Sequence, residues 1–353
     1  MSNLEQLKQE LIAQKTALEA KGATVTVANL NPSPAEITAG INSLSIVNTK
    51  NATATESDVL QGKTFYAMDN DIKTGTLVAM DINTVNQMFL FEEGQTSGNF
   101  SVTIPNSTTT LRSYIFYGTP HSMTVTLSEN LVNVQDYAFS DNFNTTITNL
   151  HNCTRLEIVG RMAFQGCRGI NLGALPMSIN EIDAYAFDNT FHNSTELIVP
   201  PVTILQNYAF YSPTKAYLNN LDISRIQYPT MASHVFANLI CDCDLVIPST
   251  VTTIKAKSFN GFSAKHIVFP SSVTSIETNA FFVPTEDTED VYNIIDFTFE
   301  GLTPPKFGSQ FLGDVTKRSS VKVYVPDEAF DSYYNANFMT TYRSMLYPVS
   351  QKE

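Results

Sequence analysis

The chain has 353 residues, of which 43% are hydrophobic, and a formal net charge of −13 at pH 7. This acidic balance argues against nucleic acids and anionic membranes as partners, because both select surfaces rich in lysine and arginine. The sequence holds no run of about 18 apolar residues, so no membrane insertion is expected. Its first residues are polar and lack the apolar core of a signal peptide, so no secretory signal is expected either.

Residues 1–22 have the pattern of an amphipathic helix. Leu4, Leu11 and Leu18 recur seven residues apart, which is the spacing of a coiled-coil seam, and Gly22 is a common helix stop. We therefore expect a helical oligomerisation segment through which the chain binds copies of itself as a homo-oligomer, with a trimer favoured. The alternative is a helix that packs against its own protein.

Residues 23–80 change in character and are predicted to form a small adaptor module. A capping box at 33–36, with proline at the first helical position, opens a short helix. Two β-type runs, at 59–67 and 72–77, flank a cluster of Asp and Asn and predict a β-hairpin. The turn-rich residues 81–98 are predicted to be a linker.

Residues 99–285 repeat one phrase, in which an apolar residue is followed four and five positions later by Ala-Phe or a close variant. The phenylalanines that end the phrase, called the Phe anchors here, are Phe116, Phe139, Phe164, Phe187, Phe210, Phe236, Phe259 and Phe281. Successive anchors lie 22 to 26 residues apart. A fixed period of this size is the signature of a repeat solenoid.

Counting back from each anchor gives a template with apolar residues fourteen, twelve, eight and five positions upstream, as in Leu245, Ile247, Val251 and Ile254 before Phe259. The first two point to the same side of a short strand, because side chains alternate along a strand. Burial of roughly six inward side chains stabilises one repeat by about 1.5–3 kcal/mol each. This gain does not offset the loss of backbone entropy, which costs about 1–2 kcal/mol for each of some 23 residues. One repeat is therefore unstable alone, and the Phe anchors are expected to form a core shared between stacked repeats.

Residues 286–353 are predicted to cap the last open repeat. The acidic run 286–290 is expected to be a solvated loop, 321–326 a strand, and 327–347 an amphipathic helix. Within the array, the outward strand positions form the extended face on which solenoids bind their partners. Examples of these positions are Thr103, Thr126, Val246 and Val268.

The template, its Ala-Phe endings and the Tyr-Val-Pro-Asp sequence at 324–327 together resemble the BspA-like leucine-rich repeat family. That resemblance implies short strands stacked into one sheet with turn or short-helix returns, and it implies binding rather than catalysis, mostly in bacterial surface proteins. The sequence departs from the family template at the fifth and sixth repeats, where residues 222–231 lack the strand-Pro pattern. Separately, residues 51–66 and 73–77 resemble a short module of phage tail and minor structural proteins.

The sequence contains none of the common catalytic motifs that were expected to be recognisable. No His-Glu-x-x-His, Gly-x-Ser-x-Gly or Walker-type loop occurs. Cys241 and Cys243 lack a second ligand pair at zinc spacing, so we expect buried cysteines rather than a metal site, and four cysteines in a chain of this length do not predict a disulfide framework. We predict a protein that is not an enzyme, with no cofactor and with no catalytic or metal-binding residue.

These features favour a phage tail-associated protein that displays its repeat domain for host-surface recognition. Its expected partners are itself, other virion tail proteins and a bacterial surface glycan or protein, and its expected location is the virion. The alternatives are a bacterial cell-surface BspA-like adhesin, a virion structural or decoration protein without its own receptor, and an enzyme that attacks host polysaccharide.

Overall fold

The computed structural model describes residues 100–119, 122–282, 294–313 and 321–352, together with the strands Thr64–Tyr66 and Ile72–Thr74. The chain divides into two compact units, residues 1–107 and 108–353. In the first unit the two isolated strands pair antiparallel, with Thr64 opposite Thr74, as the predicted hairpin requires. The same unit contains the strand Phe100–Thr103. The predicted helix of residues 1–22, and the acidic run 286–290 of the second unit, lie outside the described residues.

The second unit is a stack of short parallel strands. Each turn contributes one strand to a first row, called the long ladder. Its strands are Met123–Thr126, Thr145–Thr148, Gly173–Ala174, Glu196–Ile198, Asn220–Asp222, Leu245–Val246, His266–Phe269, Asp296–Phe299, Lys322–Val325 and Leu346–Pro348. Where neighbours pair, they pair parallel, as in Ile267 beside Phe297 and Phe297 beside Val323. The predicted solenoid is thereby confirmed.

A second row, called the short ladder, consists of two-residue strands. In the eight turns that end in a Phe anchor, this strand lies six and five positions before the anchor. Its strands are Thr110–Leu111, Asn133–Val134, Ile158–Val159, Glu181–Ile182, Ile204–Leu205, Thr230–Met231, Thr253–Ile254, Ser275–Ile276 and Lys306–Phe307. The second residue of each strand is buried and the first is not. This follows from the alternation of side chains along a strand, and it places the first residues on an outer face.

The Phe anchors form one continuous column through the core, as predicted. Each is at most 1% exposed, and each ring stacks on the next at a centroid distance between 4.7 and 5.7 Å. The template positions are buried with them; Leu245, Ile247, Val251 and Ile254 are all at most 1% exposed. Successive repeats therefore share a single apolar core, which no repeat completes alone.

The weak point in the repeat pattern lies in the longest interval, the 26 residues from Phe210 to Phe236. Here the short ladder divides into one sheet that ends at Ile204–Leu205 and another that begins at Thr230–Met231. The same interval also contains the strand Ala216–Leu218, which pairs parallel with Leu239–Cys241 of the next turn. Met231 is nevertheless fully buried, so the turn keeps its register at the anchor.

The C-terminal cap differs from its prediction in one element. The strand expected at 321–326 is present as Lys322–Val325. The single helix expected over 327–347 is wrong, because the segment contains only a five-residue α-helix, Phe330–Tyr334. The rest of the segment is built from 3-10 turns at Asp327–Ala329, Met339–Thr341 and Arg343–Met345, with a further one at Val349–Gln351.

The break in this helix has a local cause. Phe338 has a φ of 64°, which no α-helix accommodates, so the helix cannot continue through this residue. Asn335, which follows the helix, donates from its side-chain amide to the Asp331 carbonyl at 2.8 Å and caps the last turn. The segment is fixed instead by two buried tyrosines. The hydroxyl of Tyr333 donates to the Gly301 carbonyl at 2.9 Å, and that of Tyr342 donates to the Gly313 carbonyl at 3.1 Å.

Candidate binding surface

The four outward strand positions expected from the sequence lie at the surface. Thr103 is exposed, Thr126 and Val268 are half-buried, and Val246 is 54% exposed. The Thr148 hydroxyl donates to that of Thr126 at 3.0 Å, which is ordinary cross-strand chemistry. Their orientation is as predicted, but their chemistry does not single out a ligand.

A more distinctive surface, which sequence reasoning missed, lies at the turns around the Phe anchors. Aromatic side chains recur there two positions before an anchor or one position after it. This set, called the tyrosine row, consists of Tyr114, Tyr117, Tyr137, Tyr185, Tyr208, Tyr211 and His234. Tyr114 is 56% exposed and the others are half-buried. The missed signal was the constant offset of these tyrosines from buried phenylalanines.

Rings of the tyrosine row stack on one another from turn to turn. The centroids of Tyr114 and Tyr137 lie 4.8 Å apart, and those of Tyr185 and Tyr208 lie 4.5 Å apart. Tyr208 also stacks on His234 at 4.3 Å, so both faces of its ring are covered. Tyr211 meets Tyr208 edge to face at 5.4 Å. The exposed parts of the row are therefore mainly ring edges and hydroxyl groups.

The backbone explains this stacking. The anchor N–H of one turn donates to the carbonyl before the next anchor, as from Phe187 to Ala209 at 2.9 Å. Such ladders hold successive turns about 4.8 Å apart, which is also the spacing of stacked rings. In all eight turns the residue two positions before the anchor has a positive φ, between 53° and 62°. The strained backbone thus turns each of these side chains outward at the same place.

A shallow polar groove lies along the short ladder. Some of its lining residues come just before Tyr137 and Tyr185 in the sequence. Its lining residues are Ser113, Asn133, Gln135, Asp136, Ile158, Gly160 and Asp183. Asp136 accepts a hydrogen bond from the Arg161 backbone N–H at 3.0 Å, which fixes one carboxylate at the groove floor. A Cβ on Gly160 would lie 2.7 Å from an Asp136 carboxylate oxygen, so glycine is required for this close approach.

Acidic groups on both sides of the tyrosine row repel one another. Burial raises the pKa of Asp183, and the nearby charges of Glu181 and Asp136 raise it further, while Arg161 opposes them. Burial likewise raises the pKa of Asp188, with a smaller contribution from Asp141. One oxygen of Asp188 accepts from the Gln165 amide at 2.8 Å, and the other is buried without a hydrogen-bond partner.

The same environment disfavours the charged forms of four side chains in the tyrosine row. The Asp141 carboxylate raises the pKa of Tyr117, and burial raises the pKa of both Tyr185 and Tyr211. Burial lowers the pKa of His234, with help from the charge of Lys257. Beside these carboxylates, the surroundings therefore favour the phenol forms of Tyr117, Tyr185 and Tyr211 and the uncharged imidazole of His234.

The prediction of separate, buried cysteines at 241 and 243 is wrong. Cys241 and Cys243, expected to be separate buried cysteines, are joined in a disulfide across a Cα–Cα distance of 5.2 Å. Cys241 ends the strand Leu239–Cys241, and a bend at Asp242 and Cys243 brings the two Cα atoms within the usual range for a disulfide. Cys153 and Cys167 are buried free thiols. Within the described ranges no three His, Cys, Asp or Glu side chains are grouped to hold a metal ion.

A second polar cluster, at the C-terminal cap, has a structural explanation. Asp296 is 2% exposed and binds the His266 ring at 2.7 Å and the Lys352 ammonium at 2.9 Å. Lys352 also donates to the Thr298 hydroxyl at 2.8 Å and lies 5.3 Å from the Tyr324 ring. The Lys352 ammonium thus compensates the buried Asp296 carboxylate, the His266 ring bonds its other oxygen, and the cluster ties the last described residue to the long ladder.

One Ser-His contact also occurs in the tyrosine row. The Ser233 hydroxyl lies 3.0 Å from the Nδ1 atom of His234. Its proton is directed elsewhere, because the same hydroxyl donates to the Ala256 carbonyl at 2.7 Å. Ser233 is therefore not arranged as a nucleophile with His234 as its base.

Comparison with protein families agrees with this architecture. The model of the BspA type leucine rich repeat region matches residues 95–217 and 229–299 in six copies. These residues make up more than half of the chain. The chain belongs to the BspA type leucine-rich repeat family. The gap between the matches contains the strand Asn220–Asp222 and coincides with the break in the short ladder.

Two solved structures of leucine-rich repeat proteins are similar to this one. A leucine-rich repeat protein from Bacteroides ovatus ATCC 8483 is 12% identical, with a TM-score of 0.30, covering 70% of this chain and 92% of that one. A leucine rich cell surface protein from Faecalibacterium prausnitzii A2-165 is also 12% identical, with a TM-score of 0.25, covering 71% of this chain and 88% of that one. No curated protein sequence matched. In the part of the chain that the structure describes, no helix has the length and apolar character needed to cross a membrane.

Proposed function

We propose that this BspA type repeat protein is displayed on a bacterial surface, where its solenoid binds a macromolecule without catalysing a reaction. The observation that supports this most strongly is the tyrosine row. Tyrosine combines a large apolar area with a hydroxyl group and only two side-chain torsions, so it contributes contact area at low entropic cost. Aromatic residues are enriched in interfaces, and here they are held on a hydrogen-bonded backbone ladder.

The disulfide supports display outside the cytoplasm. Disulfides persist in oxidising environments and are rare in the reducing cytosol. This location also agrees with the resemblance of the repeats to surface proteins.

A virion location is the second candidate. It rests on the segment around residues 51–77, whose sequence resembles phage tail proteins and whose strands Thr64–Tyr66 and Ile72–Thr74 pair antiparallel. In that case the expected partners are other tail proteins and a receptor on the host surface. The predicted self-association through residues 1–22 stays a prediction in both cases.

Labelling of cells tests the proposal. The full chain, carrying a fluorescent label, is expected to bind a panel of bacterial or host cells saturably, and an excess of unlabelled chain is expected to displace it. Absence of saturable binding on every cell type would remove the recognition function. Immunogold detection on producing cells and on purified phage particles separates the two locations, and sedimentation of the chain with and without residues 1–22 tests self-association.

A further inference from the structure

The tyrosine row and the polar groove together form one strip on the second unit, and its composition indicates a class of partner. We propose that this strip binds a basic polypeptide segment, with arginine or lysine side chains placed between the tyrosine edges and the groove carboxylates. This inference rests on the proposed recognition function and names the partner of the same surface.

The geometry of the rings argues for a polypeptide rather than a sugar. Sugar rings bind aromatic residues by lying on an open ring face. Both faces of Tyr208 are covered, by Tyr185 at 4.5 Å and by His234 at 4.3 Å, and one face of Tyr114 is covered by Tyr137. What remains open at Tyr208 is its ring edge and hydroxyl group, which suit hydrogen bonds to peptide groups and packing against long side-chain stems.

The charges argue for a basic segment. Asp136 and Asp183 line the same groove, and Asp183 also experiences the charge of Glu181. The positive charge of Arg161 opposes this repulsion at Asp183. The hydrogen bond from Arg161 to Asp136 comes from the backbone N–H of Arg161. A bound guanidinium or ammonium would reduce the repulsion among these carboxylates, whereas a sulfated or sialylated glycan would increase it.

The strip is also rigid before binding. The Ser113 backbone N–H donates to the Gln135 side chain at 3.1 Å, and Asp136 accepts from Arg161, so groove side chains are bonded from turn to turn. The tyrosines are fixed by stacking and by the backbone ladder beneath them. A partner therefore meets a surface that loses little conformational freedom on binding, which favours affinity.

Peptide binding tests this proposal. The probe is a fluorescent peptide that alternates arginine with glycine and serine, measured by anisotropy against the full chain; the matched peptide has glutamine in place of arginine. We expect saturable binding of the arginine peptide alone. Raising salt from about 0.1 M to about 1 M shortens the Debye length from about 10 Å to about 3 Å and should weaken the binding markedly.

Substitutions within the row provide the structural test. Tyr185→Asn with Tyr208→Asn keeps the backbone, because Asn279 occupies the same positive-φ position in another turn. This double variant is expected to bind the arginine peptide at least about tenfold more weakly. Asp183→Asn, which is nearly isosteric, should weaken binding in the same direction. Tyr217→Asn is the matched control, because Tyr217 is 58% exposed on a strand outside the row.

Three results would overturn the inference: no binding of the arginine peptide, equal binding by the tyrosine variants and by Tyr217→Asn, or saturable binding of a neutral oligosaccharide that the tyrosine variants abolish. The last result would assign the strip to a glycan. If the chain labels cells but the arginine peptide does not bind, the proposed function stands and this inference fails. If neither binds, both fail.

Discussion

The column of Phe anchors allows a quantitative prediction about stability. Phe164 is fully buried and lies between Phe139 and Phe187, with both centroid distances at 5.4 Å. Phe164→Ala removes the whole ring from the core, and substitutions of this kind cost about 3–5 kcal/mol. Phe164→Leu keeps most of the apolar volume but loses two ring pairs at about 0.5–1.5 kcal/mol each, so we expect a loss of about 1–3 kcal/mol.

Urea unfolding followed by circular dichroism measures these losses. Phe143→Ala is the matched control, because Phe143 is 44% exposed and packs against Arg168 rather than into the column. Its expected cost is below about 1 kcal/mol. Equal losses for Phe164→Ala and Phe143→Ala would refute the reasoning that the anchors carry the shared core.

Three further predictions concern buried polar and thiol groups. Because its pKa is raised in the folded state, Asp188 should destabilise the fold at neutral pH, and stability should rise as the pH falls through the raised pKa toward the ordinary value of 3.8. Asp188→Asn should therefore raise the urea midpoint at pH 7 and reduce this pH dependence; a lower midpoint would contradict the assignment. Burial raises the pKa of Cys153 to about 11 and also raises that of Cys167, so a maleimide at pH 8 should label neither thiol in the native chain and both after unfolding. Rapid native labelling would contradict their burial. Tyr333→Phe should cost about 0.5–1.5 kcal/mol, because its hydroxyl bonds the Gly301 carbonyl, and an unchanged melting temperature would contradict that bond's contribution.

The buried half of the solenoid could be predicted from sequence, because burial imposes a strict pattern. The anchors and the residues five positions before them repeat with little variation, so their periodicity is visible without a structure. Even Met231, which precedes a variant Ser-His-Val-Phe ending, is buried in register.

The outer surface was harder to predict, because solvent does not select one residue type. The position two before the anchor is Tyr in four turns and Met, His, Lys or Asn in the others. It is held at positive φ by the turn, a constraint that side-chain chemistry does not reveal. The stacking of Tyr185 on Tyr208 follows from the distance between turns, which only the structure supplies.

Two local features differ from the sequence-based expectations, namely the helix over 327–347 and the pairing of Cys241 with Cys243. The period of apolar residues over 327–347 suggested one helix, but the helix ends after five residues and cannot continue through Phe338. The disulfide depends on a bend at Asp242 and Cys243, which the residue types in Cys-Asp-Cys do not reveal. The bend brings the two Cα atoms to 5.2 Å, within the usual range for a disulfide.

Competition on intact cells tests the central claim most directly. Cells that bind the labelled chain are incubated with an excess of unlabelled wild type, of the Tyr185→Asn and Tyr208→Asn double variant, or of Tyr217→Asn. If the tyrosine row is the recognition surface, wild type and Tyr217→Asn displace the labelled chain and the double variant does not. Displacement by the double variant with the same midpoint as wild type would contradict the account.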